Sequence, residues 1–250
     1  MQIEEFGSEN DKTIVMLHGA NFVHSFGRQY RLAKTYHIIV PHIMGFGAEA
    51  HRVFDTETCV KELASYIETL GKKVTLIGFS LGAQLAFKLV SECEYLFDSA
   101  ILVSPWLIKE EKMLSEIFDA NLKQLHSLKK KWLCHIVGMM NGMFSLKVRR
   151  DFVEQMQNVT EETIRNIVYN NITLDSVPNF ENITIPITVL VGGKEQQILL
   201  EGAKEMAKKN SNCKYEIWEK AGHNIPPMFA KRFNALICSV VEDYKQTDIQ

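Results

Sequence analysis

Short apolar runs alternate with stretches of helical spacing along the first hundred residues. Thr13–Leu17 and Tyr36–Val40 are apolar runs of the kind a parallel sheet buries on both faces, and the second ends at Pro41. Between Cys59 and Leu70 the apolar positions Val60, Leu63, Ala64 and Ile67 share one helical face, and Gly71 stops the pattern. Val74–Ile77 predicts a strand, Ala83–Val90 a helix, and Ser99–Val103 another strand closed by Ser104-Pro105. From about Leu107 to Val177 strand patterning disappears. Apolar residues there recur at helical spacing, as in Trp132, Leu133, Ile136 and Val137 or Ile164, Ile167 and Val168. Strands return at Pro186–Val191 and Lys214–Trp218, with helices predicted over Glu201–Lys209 and Pro227–Tyr244. The pattern is that of an α/β protein with a parallel sheet and a helical insertion.

Composition changes the picture little. A chain of 250 residues, 46% hydrophobic and 23% charged, buries a full core in one domain with an insertion. Its 28 basic and 30 acidic side chains give a net charge of −2, so no overall field recruits nucleic acid or an anionic membrane. The segment Met1–Phe6 is acidic and lacks the pattern of a secretory signal, and no apolar run is long enough to span a bilayer. The five cysteines are scattered, odd in number and without metal-ligand spacing, which predicts reduced thiols, no metal site and a cytoplasmic protein. Sequons at Asn158, Asn171 and Asn182 carry no weight in that setting.

The candidate chemistry begins at Gly78-Phe79-Ser80-Leu81-Gly82, set between a predicted strand and a predicted helix. A G-x-S-x-G there is a nucleophile elbow, a turn so sharp that only small flanking residues avoid a clash. Ser80 then reads as a nucleophile, and the Leu81 amide opens the helix where it can face an oxyanion. The competing reading of the same five residues is a glycine-softened strand-to-helix turn. Serine needs a base, and His223 lies in the glycine-containing loop after the last strand, from which it can reach over Ser80. The other seven histidines lack that placement.

With His18-Gly19 after the second strand, Gly192-Gly193-Lys194-Glu195 after the next-to-last and Ala221-Gly222-His223-Asn224 after the last, the chain resembles the α/β-hydrolase fold superfamily, in its small, lidded, esterase-like form. The resemblance runs from about Thr13 to the last helix. It implies a mostly parallel sheet with helices on both faces, a core over 1–106 and 179–250, and a helical lid over 107–178. It also implies Glu195 as the acid that orients His223, the Ala20 and Leu81 amides as the oxyanion hole, and His18 as an organiser of the loop beside it. Two departures are visible. Only Gln2–Phe6 can supply a strand before the His-Gly strand, which predicts seven strands rather than the usual eight. Histidine stands at Pro41-His42, where such proteins commonly carry an acid, so the polarity of the entrance is open. The family usually places aspartate where Glu195 stands. The alternative acid position, after the strand ending in Ser104-Pro105-Trp106, has no carboxylate until Glu110.

The insertion decides the substrate. Five of the ten methionines lie in it, which predicts a permissive apolar pocket, with ordinary packing as the competing reading. Asn21, Phe79, Trp106, Met139 and Met143 are the expected substrate contacts. Lys129-Lys130-Lys131 and Arg149-Arg150 read as the wet faces of helices, with attraction of an anionic substrate as the competing reading. Gly45-Phe46-Gly47 lacks the third glycine of a dinucleotide site and reads as a loop, so no cofactor is expected. The resulting expectation is a serine hydrolase of a small ester or thioester with an apolar acyl or alcohol group. Carbon–carbon bond cleavage or lyase chemistry on the same residues is the alternative, as is a small-ligand receptor with the hydrolase fold. Residue patterns leave the oligomeric state undetermined.

Overall fold

A computed structural model describes residues 1–107, 110–140, 143–177 and 179–247, so the expected far boundary of the insertion at residue 178 lies outside the described residues. The strands are β1 (Ile3–Phe6), β2 (Thr13–Leu17), β3 (His37–Pro41), β4 (Val74–Phe79), β5 (Phe97–Val103), β6 (Ile187–Gly192) and β7 (Cys213–Trp218). They form one seven-stranded sheet in the order β1-β3-β2-β4-β5-β6-β7. Every neighbouring pair is parallel except β1 and β3, so the short first strand caps one edge in the antiparallel sense.

Each residue of β2, β3, β4 and β6 is buried, which explains why these strands read as apolar runs rather than alternating ones. Alternation survives in which face a side chain joins. Val15, Leu17, Ile39 and Leu76 pack on one side of the sheet, while Ile14, Met16, Ile38 and Ile77 pack on the other. The first face is covered by α1 (Thr56–Thr69), α2 (Leu81–Glu92) and α7 (Gln197–Lys209). The second is covered by α9 (Ala230–Thr247) through Phe233, Ile237 and Val241. Between β5 and β6 the chain forms α3 (Leu114–Leu128), α4 (Lys131–Met140), α5 (Leu146–Asn158) and α6 (Glu161–Tyr169).

Element ends differ from the pattern where capping chemistry outweighs periodicity. Helix α1 starts before Cys59 because Asp55 accepts from the Thr58 amide at 2.8 Å, satisfying a donor the helix cannot. The single helix expected over 227–244 is instead α8 (Ile225–Met228) followed by α9, and the break falls at Phe229, whose φ of −113° and ψ of 32° are not helical. Registers of Leu17 with Gly78 and Phe79 with Val103 bring the carboxyl ends of the central strands to one level. In an open parallel sheet that is where ligands bind.

Candidate active site

Ser80 directly follows the last residue of β4 and precedes the first of α2, with φ 54° and ψ −116°, a conformation costly for a residue with a Cβ. Its amide donates to Val103 O at 2.8 Å, continuing the sheet ladder to the turn itself. The flanking glycines are required by space. A Cβ on Gly82 would run into the carbonyl of Leu17, and one on Gly78 into that of Gly82.

Three side chains from three strand ends meet here. His223 Nε2 lies 3.1 Å from Ser80 Oγ, and His223 Nδ1 lies 2.6 Å from Glu195 Oε2. Glu195 is 3% exposed at its side chain, and its other oxygen accepts from Ser104 Oγ at 2.6 Å and from the Gly192 amide at 2.8 Å. Burial pushes the Glu195 carboxyl up, but the hydrogen bonds from His223, Ser104 and Gly192 and the charge of His223 outweigh it, leaving the group below its ordinary value. An ionised Glu195 only accepts, so Nδ1 of His223 carries the proton and Nε2 presents a lone pair to the Ser80 hydroxyl. The histidine loop is itself tied down, as the Ile225 amide donates to His223 O at 2.8 Å and the Lys194 amide to Ala221 O at 3.0 Å.

Ser104 was not among the expected site residues. It occupies the strand end where an acid is an alternative in similar proteins, with φ 52°, and supports Glu195 instead of replacing it. The only sequence signal was its place closing a strand.

His18 is fully buried, and burial pushes it down to about 3. It accepts from the Ile43 amide at Nε2 (2.9 Å) and contacts Gly19 O through Nδ1 (2.8 Å), so the neutral ring clamps the loop after β2 to the loop after β3. Asn21 lies in that clamped loop in a left-handed conformation (φ 65°), its buried Oδ1 without a hydrogen-bond partner. His42, at the position commonly acidic, is buried, contacts Glu4 of β1 through Nε2 at 3.3 Å and accepts from the Ala48 amide at Nδ1 (2.9 Å), so its polarity is spent on the edge strand and the loop after β3.

A cavity of about 460 Å³ opens at Ser80 and His223, and Ala20 and Leu81 line it as well. Its apolar wall comes from Ile117 of α3, Ile164, Ile167 and Val168 of α6, and Leu199 of α7. Trp106 and Gln84 complete the lining, and Gln84 Nε2 donates to Trp106 O at 2.8 Å and to Asn171 Oδ1 at 2.5 Å. Phe79 sits 5.0 Å from the His223 ring and, with Asn21, lines a smaller recess beside the same serine.

The methionines are elsewhere. Met139 is 49% exposed on the outside of α4, and Met143 is buried beside Gly138 and Phe152, so neither expected contact lines the cavity at Ser80. The reason is rotational. Helix α4 buries Cys134 and Gly138 and turns Trp132, Ile136, Met139 and Met140 outward, which leaves branched residues of α3 and α6 to wall the cavity. Among the described residues no cluster of His, Cys, Asp and Glu could hold a metal ion, and no helix is long and apolar enough to cross a membrane.

A serine on a strained elbow, bonded to a histidine that is oriented by a buried carboxylate, defines a class, and the profile of the alpha/beta hydrolase family matches residues 14–236. The chain belongs to that family. A monoacylglycerol lipase of Xenopus laevis, abhd6-B, is 24% identical, aligned over 96% of this chain and 78% of the lipase. The enol-lactonase of Burkholderia xenovorans superposes with a TM-score of 0.75 at 16% identity, covering 96% of this chain and 95% of the lactonase. An esterase of Exiguobacterium antarcticum gives 0.72 at 18% identity, over 96% and 94% of the two chains. These two likenesses are of fold.

Proposed function

We propose that the protein is a cofactor-independent serine hydrolase acting on a small ester or thioester with an apolar acyl or alcohol group. The observation that carries this reading is the unbroken hydrogen-bond chain from Ser80 through His223 to the buried Glu195. Ser80 Oγ attacks the carbonyl carbon while His223 Nε2 takes its proton. The oxyanion so formed is held by the amides of Leu81, at the first turn of α2 where backbone donors have no intrahelical acceptor, and of Ala20. His223 returns the proton to the leaving alcohol or thiol, and a water repeats the sequence to release the acid. Helices α3 to α6 act as the lid, since α3 and α6 supply most of the apolar wall. That lining supports an apolar group on the substrate, held by stiff, branched side chains.

The test is labelling with a fluorophosphonate, read by intact mass on wild type and Ser80→Ala, followed by hydrolysis of short-chain acyl esters. One adduct on wild type, none on the variant, and ester turnover lost with Ser80 are expected. Ester hydrolysis at wild-type rate in folded Ser80→Ala would overturn the reading. Binding without turnover by the wild type would favour a receptor, and cleavage restricted to carbon–carbon bonds would favour that alternative.

A further inference from the structure

Helix α4 and the start of α5 present a surface that neither the core nor the cavity uses. On the inner side of α4 the helices approach closely, since a Cβ added to Gly138 would lie 3.3 Å from Phe152 Cδ1. On the outer side Trp132, Ile136, Met139 and Met140 follow the i, i+4, i+7, i+8 spacing that ordinarily buries a helix face. Here they are 66%, 42%, 49% and 71% exposed, and Phe144 and Leu146 extend the patch at 72% and 62%. Ile136, Met139 and Leu146 line one surface groove together, and an exposed apolar surface of this kind marks an interaction site. Scattered exposed apolar residues would need no explanation; six within fifteen positions do.

Charge indicates what the patch meets. Between Asp119 and Asp151 the chain carries Lys123, Lys129, Lys130, Lys131, Lys147, Arg149 and Arg150 and no Asp or Glu. The net charge of −2 therefore conceals a strongly basic stretch, of which Arg149 and Arg150 border the apolar face. Apolar residues including Trp and Phe, flanked by Lys and Arg, are the composition of helices that lie in the plane of a lipid–water interface and are drawn to anionic headgroups.

We propose that the outer face of α4, with Phe144 and Leu146, docks the protein on an anionic phospholipid surface, seating Trp132, Met140 and Phe144 among the acyl chains. Self-association through this face would place two basic clusters against each other, and a nucleic acid would leave the apolar stripe in water. Val137 of the same helix lines the recess at Ser80 and His223, so docking sets the site beside the membrane. The proposal concerns binding and stands whether or not Ser80 is a nucleophile.

The experiment is co-sedimentation of the full chain with vesicles of phosphatidylcholine mixed with phosphatidylserine, against vesicles of phosphatidylcholine alone. Binding to the mixed vesicles, weaker by about tenfold or more without phosphatidylserine, is expected. Tryptophan emission should shift to the blue on binding, and Trp132→Phe should remove the shift. Because Met140 and Phe144 are exposed, Met140→Asp with Phe144→Asp should keep the fold, checked by circular dichroism, and weaken binding by about tenfold or more. Absence of sedimentation with mixed vesicles overturns the proposal, as does binding that the paired aspartates leave unchanged. Sedimentation equilibrium showing a dimer that those aspartates dissociate and vesicles do not would assign the face to a second copy. Tight binding to duplex DNA with no binding to vesicles would assign it to a polyanion.

Discussion

Glu195 receives three donors, and their arrangement predicts how its replacement fails. Ser104 Oγ and the Gly192 amide both donate to Oε1, so in Glu195→Gln that position must stay a carbonyl oxygen and the new NH2 must face His223 Nδ1. The ring is then forced to protonate at Nε2, which cannot take the Ser80 proton. A fall in kcat on the order of 10³ to 10⁴ is expected for short-chain ester hydrolysis, with the fold unchanged. Ser104→Ala removes one supporting donor and leaves the carboxylate, so a milder loss of about tenfold in kcat is expected from the same assay. Equal losses for the two variants would mean that the arrangement around Oε1 does not set the tautomer. The extra methylene of glutamate is absorbed because both its oxygens are tied, one to the strand ends and one to the histidine loop.

At the scale of elements, the elbow joins β4 to α2 by bringing α2 against the end of β2. The space for a side chain at Gly82 is occupied by the Leu17 carbonyl, which is backbone and cannot turn aside. Gly82→Ala should therefore cost on the order of 3 kcal/mol or more, seen as a large fall in Tm by thermal unfolding. Gly222→Ala is the control, since nothing lies within 4 Å of its added Cβ, and it should leave Tm nearly unchanged. A Tm for Gly82→Ala close to wild type would mean that α2 can move away from β2. The orientation of α4 belongs to this scale too. Its apolar positions fit either an inward or an outward face, and the small residues Cys134 and Gly138, which allow close approach of α5, decide which side is buried.

For the whole molecule, acid is the condition that separates the folded chain from the unfolded one. His18 is held neutral down to about pH 3, whereas in the unfolded chain it protonates near its ordinary value. Between those two values the unfolded state binds more protons, so stability falls as pH drops through the window. Glu195 acts in the same sense at lower pH, because its depressed folded value gives stability that is present above the unfolded carboxyl value and lost as pH falls through the folded one. Urea unfolding should show a loss on the order of a few kcal/mol from about pH 7 to about pH 4, and His18→Gln should flatten that dependence while lowering stability at neutral pH. An equally steep profile in His18→Gln would assign the acid sensitivity to other groups. Charge is also a property of the whole molecule: the near-neutral total hides the basic stretch between Asp119 and Asp151, which the proposed membrane contact uses.

The sequence by itself determined the alternation of strands and helices and the elbow serine with the loop histidine now 3.1 Å from it, while the family resemblance added the seven-stranded sheet with its short first strand and Glu195, which meets that histidine. These were legible because buried strands, helix faces and sharp turns each impose a local requirement on residue type that repeats along the chain. Only the tertiary structure decided that Ser104 supports Glu195 across 91 residues, that His18 joins two loops, and that α4 turns its methionines away from the cavity. Such partners are fixed by through-space packing, which local periodicity does not encode. A methionine stripe has the same spacing whether it faces a substrate, a core or a membrane, and the close approach of α4 and α5 at Gly138 chose among them.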